Sequence, residues 1–133
     1  MAFLGREYKF ERAENFEEFL KAVGVPAELI AGFKEFKPIA KLTKEGDTYT
    51  YNSTTPQGTR KTTFKSGVEF DDVLGDKFPV KSKFVVDGNT VTQTITSDMG
   101  IGTFTREYVG DEMIVTLKST KFDGVAKRYY KAV

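Results

Sequence analysis

The sequence predicts an all-β protein, an antiparallel barrel or sandwich, with two short helices near its N-terminus. Two observations carry that expectation. From Phe36 onward, turn signals recur at short intervals: Glu45-Gly46, Pro56-Gln57-Gly58, Ser66-Gly67, Gly75-Asp76, Asp87-Gly88, Met99-Gly100, Gly110-Asp111 and Asp123-Gly124. Between them, polar and apolar residues alternate with the period of a half-buried strand. A third observation concerns the inner face, which carries arginines where a dry core would have none.

The elements follow in order. Arg6 to Arg12 reads as a first strand, with Tyr8 and Phe10 alternating against Glu7, Lys9 and Glu11. Asn15 is suited to cap a helix, and Phe16, Phe19, Leu20 and Val23 follow at helical spacing. Glu17 and Glu18 fall in the first turn, where the helix dipole favours acids, and Gly24 is a stop. Pro26 restarts a helix carrying Leu29, Ile30 and Phe33, so the helical region spans about residues 15–35. Both helices are too short to persist alone and must lie on something.

The strands then sort their faces. Lys61, Thr63 and Lys65 point outward, which turns Arg60, Thr62 and Phe64 inward. Lys81 and Lys83 leave Val80, Ser82, Phe84 and Val86 inside; the row Thr90, Thr92, Thr94 and Thr96 leaves Val91, Gln93 and Ile95. Phe104, Arg106 and Tyr108 oppose Thr103, Thr105 and Glu107, while Met113, Val115 and Leu117 oppose Thr116 and Lys118. Tyr49, Tyr51 and Ser53 share an inner face in the same way. In the last strand, Lys127 and Lys131 mark the wet face, so Gly124, Ala126, Arg128 and Tyr130 turn inward. An unpaired charge in a dry interior costs several kcal/mol, whereas a wet cavity holding an anion removes that cost.

Composition limits the function. The chain has 133 residues, enough for one domain with a sizeable core. A net charge of +1 gives no basis for nucleic-acid binding. The sequence has no cysteine and no histidine, which excludes disulfides, a thiol nucleophile and a Ser-His-Asp triad, and removes the commonest metal ligand. No metal and no cofactor are expected. The charged N-terminus is unlike a signal peptide, and the expected compartment is the cytoplasm. Glu69, Asp71 and Asp72 lack the ligand spacing of a calcium loop and read as turn solvation.

Several motifs together resemble the intracellular fatty-acid-binding proteins, most closely insect midgut members, over the whole of residues 1–133. The segment Asn15-Phe16-Glu17-Glu18-Phe19-Leu20-Lys21-Ala22-Val23-Gly24-Val25 is similar to their N-terminal signature, with Tyr8 where many members carry Trp. Ser66-Gly67-Val68-Glu69-Phe70-Asp71-Asp72 resembles their mid-chain motif, and Arg106 with Arg128-x-Tyr130 resembles their carboxylate-binding set. Gln57 and Gly58 depart from the aromatic and basic residues many members carry at the ligand portal.

The resemblance implies a single domain: a ten-stranded antiparallel up-and-down β-barrel (a clam) with a helix-turn-helix lid. It also implies a gap between the strands flanking Ser66-Gly67. By the same resemblance the protein is a monomeric carrier of long-chain fatty acids and not an enzyme. Arg128 and Tyr130 would grip the carboxylate and Arg106 would assist, often through water. Phe16, Tyr49, Tyr51, Ser53, Arg60, Thr62, Phe64, Ser82, Phe84, Gln93, Ile95, Phe104, Val115 and Leu117 would line the cavity. Lys21, Lys34 and Lys37 give the lid a means of transient contact with anionic membrane, or are simply solvated. A retinoid or bile acid is the alternative ligand. A carboxylate-dependent enzyme is the alternative of another class, and needs two acids facing the cavity.

Overall fold

The computed structural model describes residues 3–24, 27–28, 38–55, 58–74, 78–97 and 100–133. Among them, the alternating segments form ten strands: β1 (Glu7–Glu14), β2 (Ile39–Glu45), β3 (Thr48–Thr55), β4 (Gly58–Lys65), β5 (Glu69–Leu74), β6 (Phe78–Asp87), β7 (Thr90–Ser97), β8 (Gly100–Val109), β9 (Glu112–Ser119) and β10 (Phe122–Ala132). Every ladder is antiparallel, in the order β4-β3-β2-β1-β10-β9-β8-β7-β6-β5. Pairing of the first strand with the last closes the sheet into a nearly complete barrel. Its free edges, β4 and β5, face one another across the Ser66-Gly67 turn.

Side chains, not a ladder, hold that gap. Phe84 of β6 stacks on Phe64 of β4 at 4.1 Å between ring centres and lies parallel to Phe70 of β5 at 6.0 Å. Tyr49 extends the stack behind Phe64 at 5.4 Å. The turn itself is pinned to β6, with Gly67 N–H donating to the Phe84 carbonyl and Val86 N–H to Ser66 Oγ. Gly67 sits at a φ of 82°, where a side chain would strain the backbone.

A helix, α1 (Phe16–Ala22), covers one end of the barrel. Phe19 and Leu20 are buried, and the Phe19 ring meets Phe122 and Phe104 edge-on at 5.6 and 6.3 Å. At the other end, Phe3 stacks on Tyr108 at 4.1 Å, and Tyr8 meets the same ring edge-on.

Local readings are corrected in several places. The first strand is Glu7–Glu14, beyond the expected end at Arg12, because a bulge between Phe10 and Arg12 lets its pairing with β10 continue. Asn15 precedes α1 but does not cap it. Its φ is 55°, and its amide donates instead to the Val125 carbonyl at 3.2 Å, tying the helix to β10. Asp123-Gly124 is not a turn. Thr120 and Lys121 make the turn, and Gly124 is exposed within β10 where the register shifts between Phe122 and Ala126. The second helix, over Pro26 to Phe33, and the portal residue Gln57 fall largely outside the described residues.

Candidate binding site

Strand register builds the site. Arg106 of β8 pairs with Val115 of β9, which pairs with Arg128 of β10, so both arginines lie on one transverse row. With neighbouring strands ~4.8 Å apart, their backbones stand roughly 10 Å from each other. The next inner row is Tyr108, Met113 and Tyr130. Alternation turns all of these side chains inward, and Arg106 and Arg128 keep only 9% and 8% exposure.

The two guanidinium groups rest on different aromatic walls. Arg128 lies over Phe10 at 4.4 Å, over Phe16 of α1 at 4.8 Å and over Tyr130 at 5.7 Å. It also borders a cleft of about 330 Å³ between β1 and the start of α1. Arg106 lies over Tyr51 at 4.6 Å and Phe84 at 5.7 Å. Its Nη2 donates to Gln93 Oε1 at 3.0 Å, while Nε and Nη1 are buried without a hydrogen-bond partner among the described residues.

Electrostatics joins the two halves. Burial lowers the Arg128 pKa and repulsion from Arg106 adds to it, against Tyr130 and Tyr51; a guanidinium nevertheless stays charged. Burial pushes the Tyr130 hydroxyl up to about 12, with Tyr51 adding to the rise. Tyr130 therefore remains a donor at any physiological pH. Two cations and a phenol donor on adjacent inner rows suit a ligand carboxylate, since charge-assisted hydrogen bonds are the strong ones.

The remaining sequence candidates divide by depth. Tyr49, Phe64, Ser82, Phe84, Gln93, Ile95, Val115 and Leu117 are buried. Phe16, Tyr51, Ser53, Thr62 and Phe104 are half-buried. Arg60 is the correction. It shares the inner parity of Phe64, but its side chain is 49% exposed at the barrel's open edge and pairs with Asp72 across the gap at 3.5 Å. Asp72 was read as a solvated turn residue; it lies in β5, accepts a 3.3 Å hydrogen bond from fully buried Ser82, and is only 18% exposed. The alternation Phe70, Asp72 against Glu69, Asp71 was the signal that could have found it. No group of three potential metal-ligating side chains occurs among the described residues.

The Arg60–Asp72 pair links the free edges, so it should act as a clasp. Asp72→Asn keeps an acceptor for Ser82 and removes the ion pair. A half-exposed pair contributes at most about 1 kcal/mol, so the expected stability loss is below that. Opening of the gap, followed by stopped-flow release of a fluorescent apolar probe, should accelerate with added salt in the parent and lose much of that dependence in Asp72→Asn. An unchanged salt dependence would show that the pair does not control the gap.

The model of the lipocalin/cytosolic fatty-acid binding protein family matches residues 1–130. The chain belongs to that family. Fatty acid-binding protein 1 of Manduca sexta is 52% identical over 132 residues, covering 99% of this chain and all of the relative. The crystal structure of a fatty-acid-binding protein isolated from Manduca sexta superposes with a TM-score of 0.92 at 46% identity, covering 98% of this chain and 99% of the other. A Schistosoma mansoni fatty acid binding protein solved in complex with arachidonic acid gives a TM-score of 0.91 at 28% identity, covering 99% and 96%. The family consists of carriers rather than enzymes, which removes the carboxylate-dependent enzyme from consideration.

Proposed function

We infer that the protein carries long-chain fatty acids non-covalently inside its barrel, with the carboxylate on Arg128 and Tyr130 and the charge of Arg106 assisting. The observation that carries this reading is the transverse row holding Arg106 and Arg128, two buried cations beside a phenol that stays protonated. An alcohol headgroup would bring no counter-charge to the buried guanidinium of Arg106, whose one hydrogen bond among the described residues goes to a neutral amide, which favours an acid. The relatives' names point the same way, as does the arachidonic acid bound by the Schistosoma protein.

Magnitudes support a tail-driven affinity. At ~0.8 kcal/mol per buried CH₂, about 15 methylenes supply roughly 12 kcal/mol before costs. Immobilising the ligand and displacing water offset a good share of it. Affinity near micromolar or tighter follows. On this reading the carrier works as a cytoplasmic monomer, and α1 is the surface that meets a membrane during transfer.

Displacement titration of the delipidated protein with a long-chain fatty acid and its matched alcohol tests the reading. The acid should bind at least about tenfold tighter, the effect of one charge-assisted hydrogen bond. Equal affinities would overturn the acid-carrier assignment.

A further inference from the structure

The carrier reading makes no use of the hydrogen bond between Gln93 and Arg106. It joins two side chains that are both more than nine-tenths buried, on adjacent strands, at 3.0 Å. Arg106 can only donate, so Gln93 must present its carbonyl oxygen, whichever way the amide is drawn. That oxygen occupies Nη2 alone. Nε and Nη1, the other edge of the guanidinium, keep no hydrogen-bond partner among the described residues.

The choice of an amide is physically specific. A carboxylate at the same distance would form a buried ion pair and cancel the charge of Arg106 before any ligand arrived. An apolar residue would leave Nη2 buried and unsatisfied, and the planar fork free to turn. Register keeps Gln93 in place: it pairs with Phe84 on one side and Phe104 on the other. The Phe84 and Tyr51 rings then lie against the guanidinium, so its orientation is set by three contacts.

We propose that Gln93 is a specificity-determining residue, which orients Arg106 without neutralising it and thereby fixes the cavity's preference for an acid over a neutral lipid. This rests on the carrier reading above. Gln93 is a positioning residue, acting on the ligand through Arg106.

The test measures the ratio of fatty-acid to fatty-alcohol affinity in Gln93→Glu, Gln93→Met and Arg106→Gln, and in the double variant Gln93→Met with Arg106→Gln. Gln93→Glu supplies an internal anion, so acid affinity should fall about tenfold or more, the scale of a charged hydrogen bond, while alcohol affinity holds or rises. Gln93→Met preserves volume and charge but frees the fork, and should lower acid affinity several-fold. In the Arg106→Gln background the Gln93→Met effect should vanish, because both substitutions act through one guanidinium.

Equal losses for acid and alcohol, or an undiminished Gln93→Met effect in the double variant, would make Gln93 structural and overturn the proposal. Should Gln93→Glu fail to fold, the cycle built on Gln93→Met decides alone. A parent protein with no preference for the acid would overturn the carrier reading instead, so the two failures are distinct.

Discussion

Arg128→Gln is expected to weaken binding of a long-chain fatty acid by about 1.5–3 kcal/mol, the range for a hydrogen bond to a charged group. The matched alcohol should bind unchanged or slightly better, since it gains nothing from the cation and escapes the field of a buried charge. The site's construction explains the contrast. Arg128 is held over Phe10, Phe16 and Tyr130, so shortening it to an amide leaves the aromatic walls standing and removes only the charge and its reach. Tyr130→Phe removes one neutral donor and should cost less, about 0.5–1.5 kcal/mol. Arg106→Gln should act as a weaker Arg128→Gln, because Arg106 stands on the far side of Val115 in the same row. Calorimetric titration of both ligands checks the series. Equal losses for acid and alcohol would mean that the arginines support the barrel, and the carboxylate would have to be sought elsewhere.

Phe84→Ala destabilises the fold by about 3–5 kcal/mol, as expected for truncating a fully buried aromatic. The ring is 2% exposed and lies between Phe64 and Phe70, so it joins β4, β5 and β6 where, among the described residues, no ladder links β4 to β5. Losing it opens the stack at the Ser66-Gly67 end, leaving the Arg60–Asp72 clasp to span the gap. Denaturant titration gives the cost, with Phe84→Leu as a partial-volume control expected to lose less. A cost under about 1 kcal/mol would show that the ring borders water and packs on nothing, as a pure cavity-lining residue would.

Much of the barrel's inner face was legible because strand alternation is strict. Lys127 and Lys131 must face water, and that alone turned Arg128 and Tyr130 inward. Thr105 and Glu107 did the same for Arg106. Periodicity assigns a face, but it does not say how deep along the strand a residue lies. Arg60 shows the difference: its face was right, yet it sits near the start of β4, at the open edge, and water reaches it. Asp72 shows the converse, an acid made inward-facing by a strand that the local run of acidic residues disguised as a turn.

Asn15 and Asp123-Gly124 failed for a related reason. Their side-chain chemistry allows a cap and a turn, and local sequence offers nothing to oppose either. Tertiary contacts overrode both: β10 drew the Asn15 amide to the Val125 carbonyl, and pairing with β9 carried β10 through Gly124 with a register shift. The sequence by itself therefore determined the strands, their inner faces and the sign of the buried charge, since each follows from which residues tolerate water. Only the tertiary structure decided which strands meet and in what register. That choice placed Arg106 on the same row as Arg128, gave Gln93 to Arg106 and joined Arg60 to Asp72, because contacts between residues far apart in the chain are fixed by closure of the whole sheet and not by any local preference.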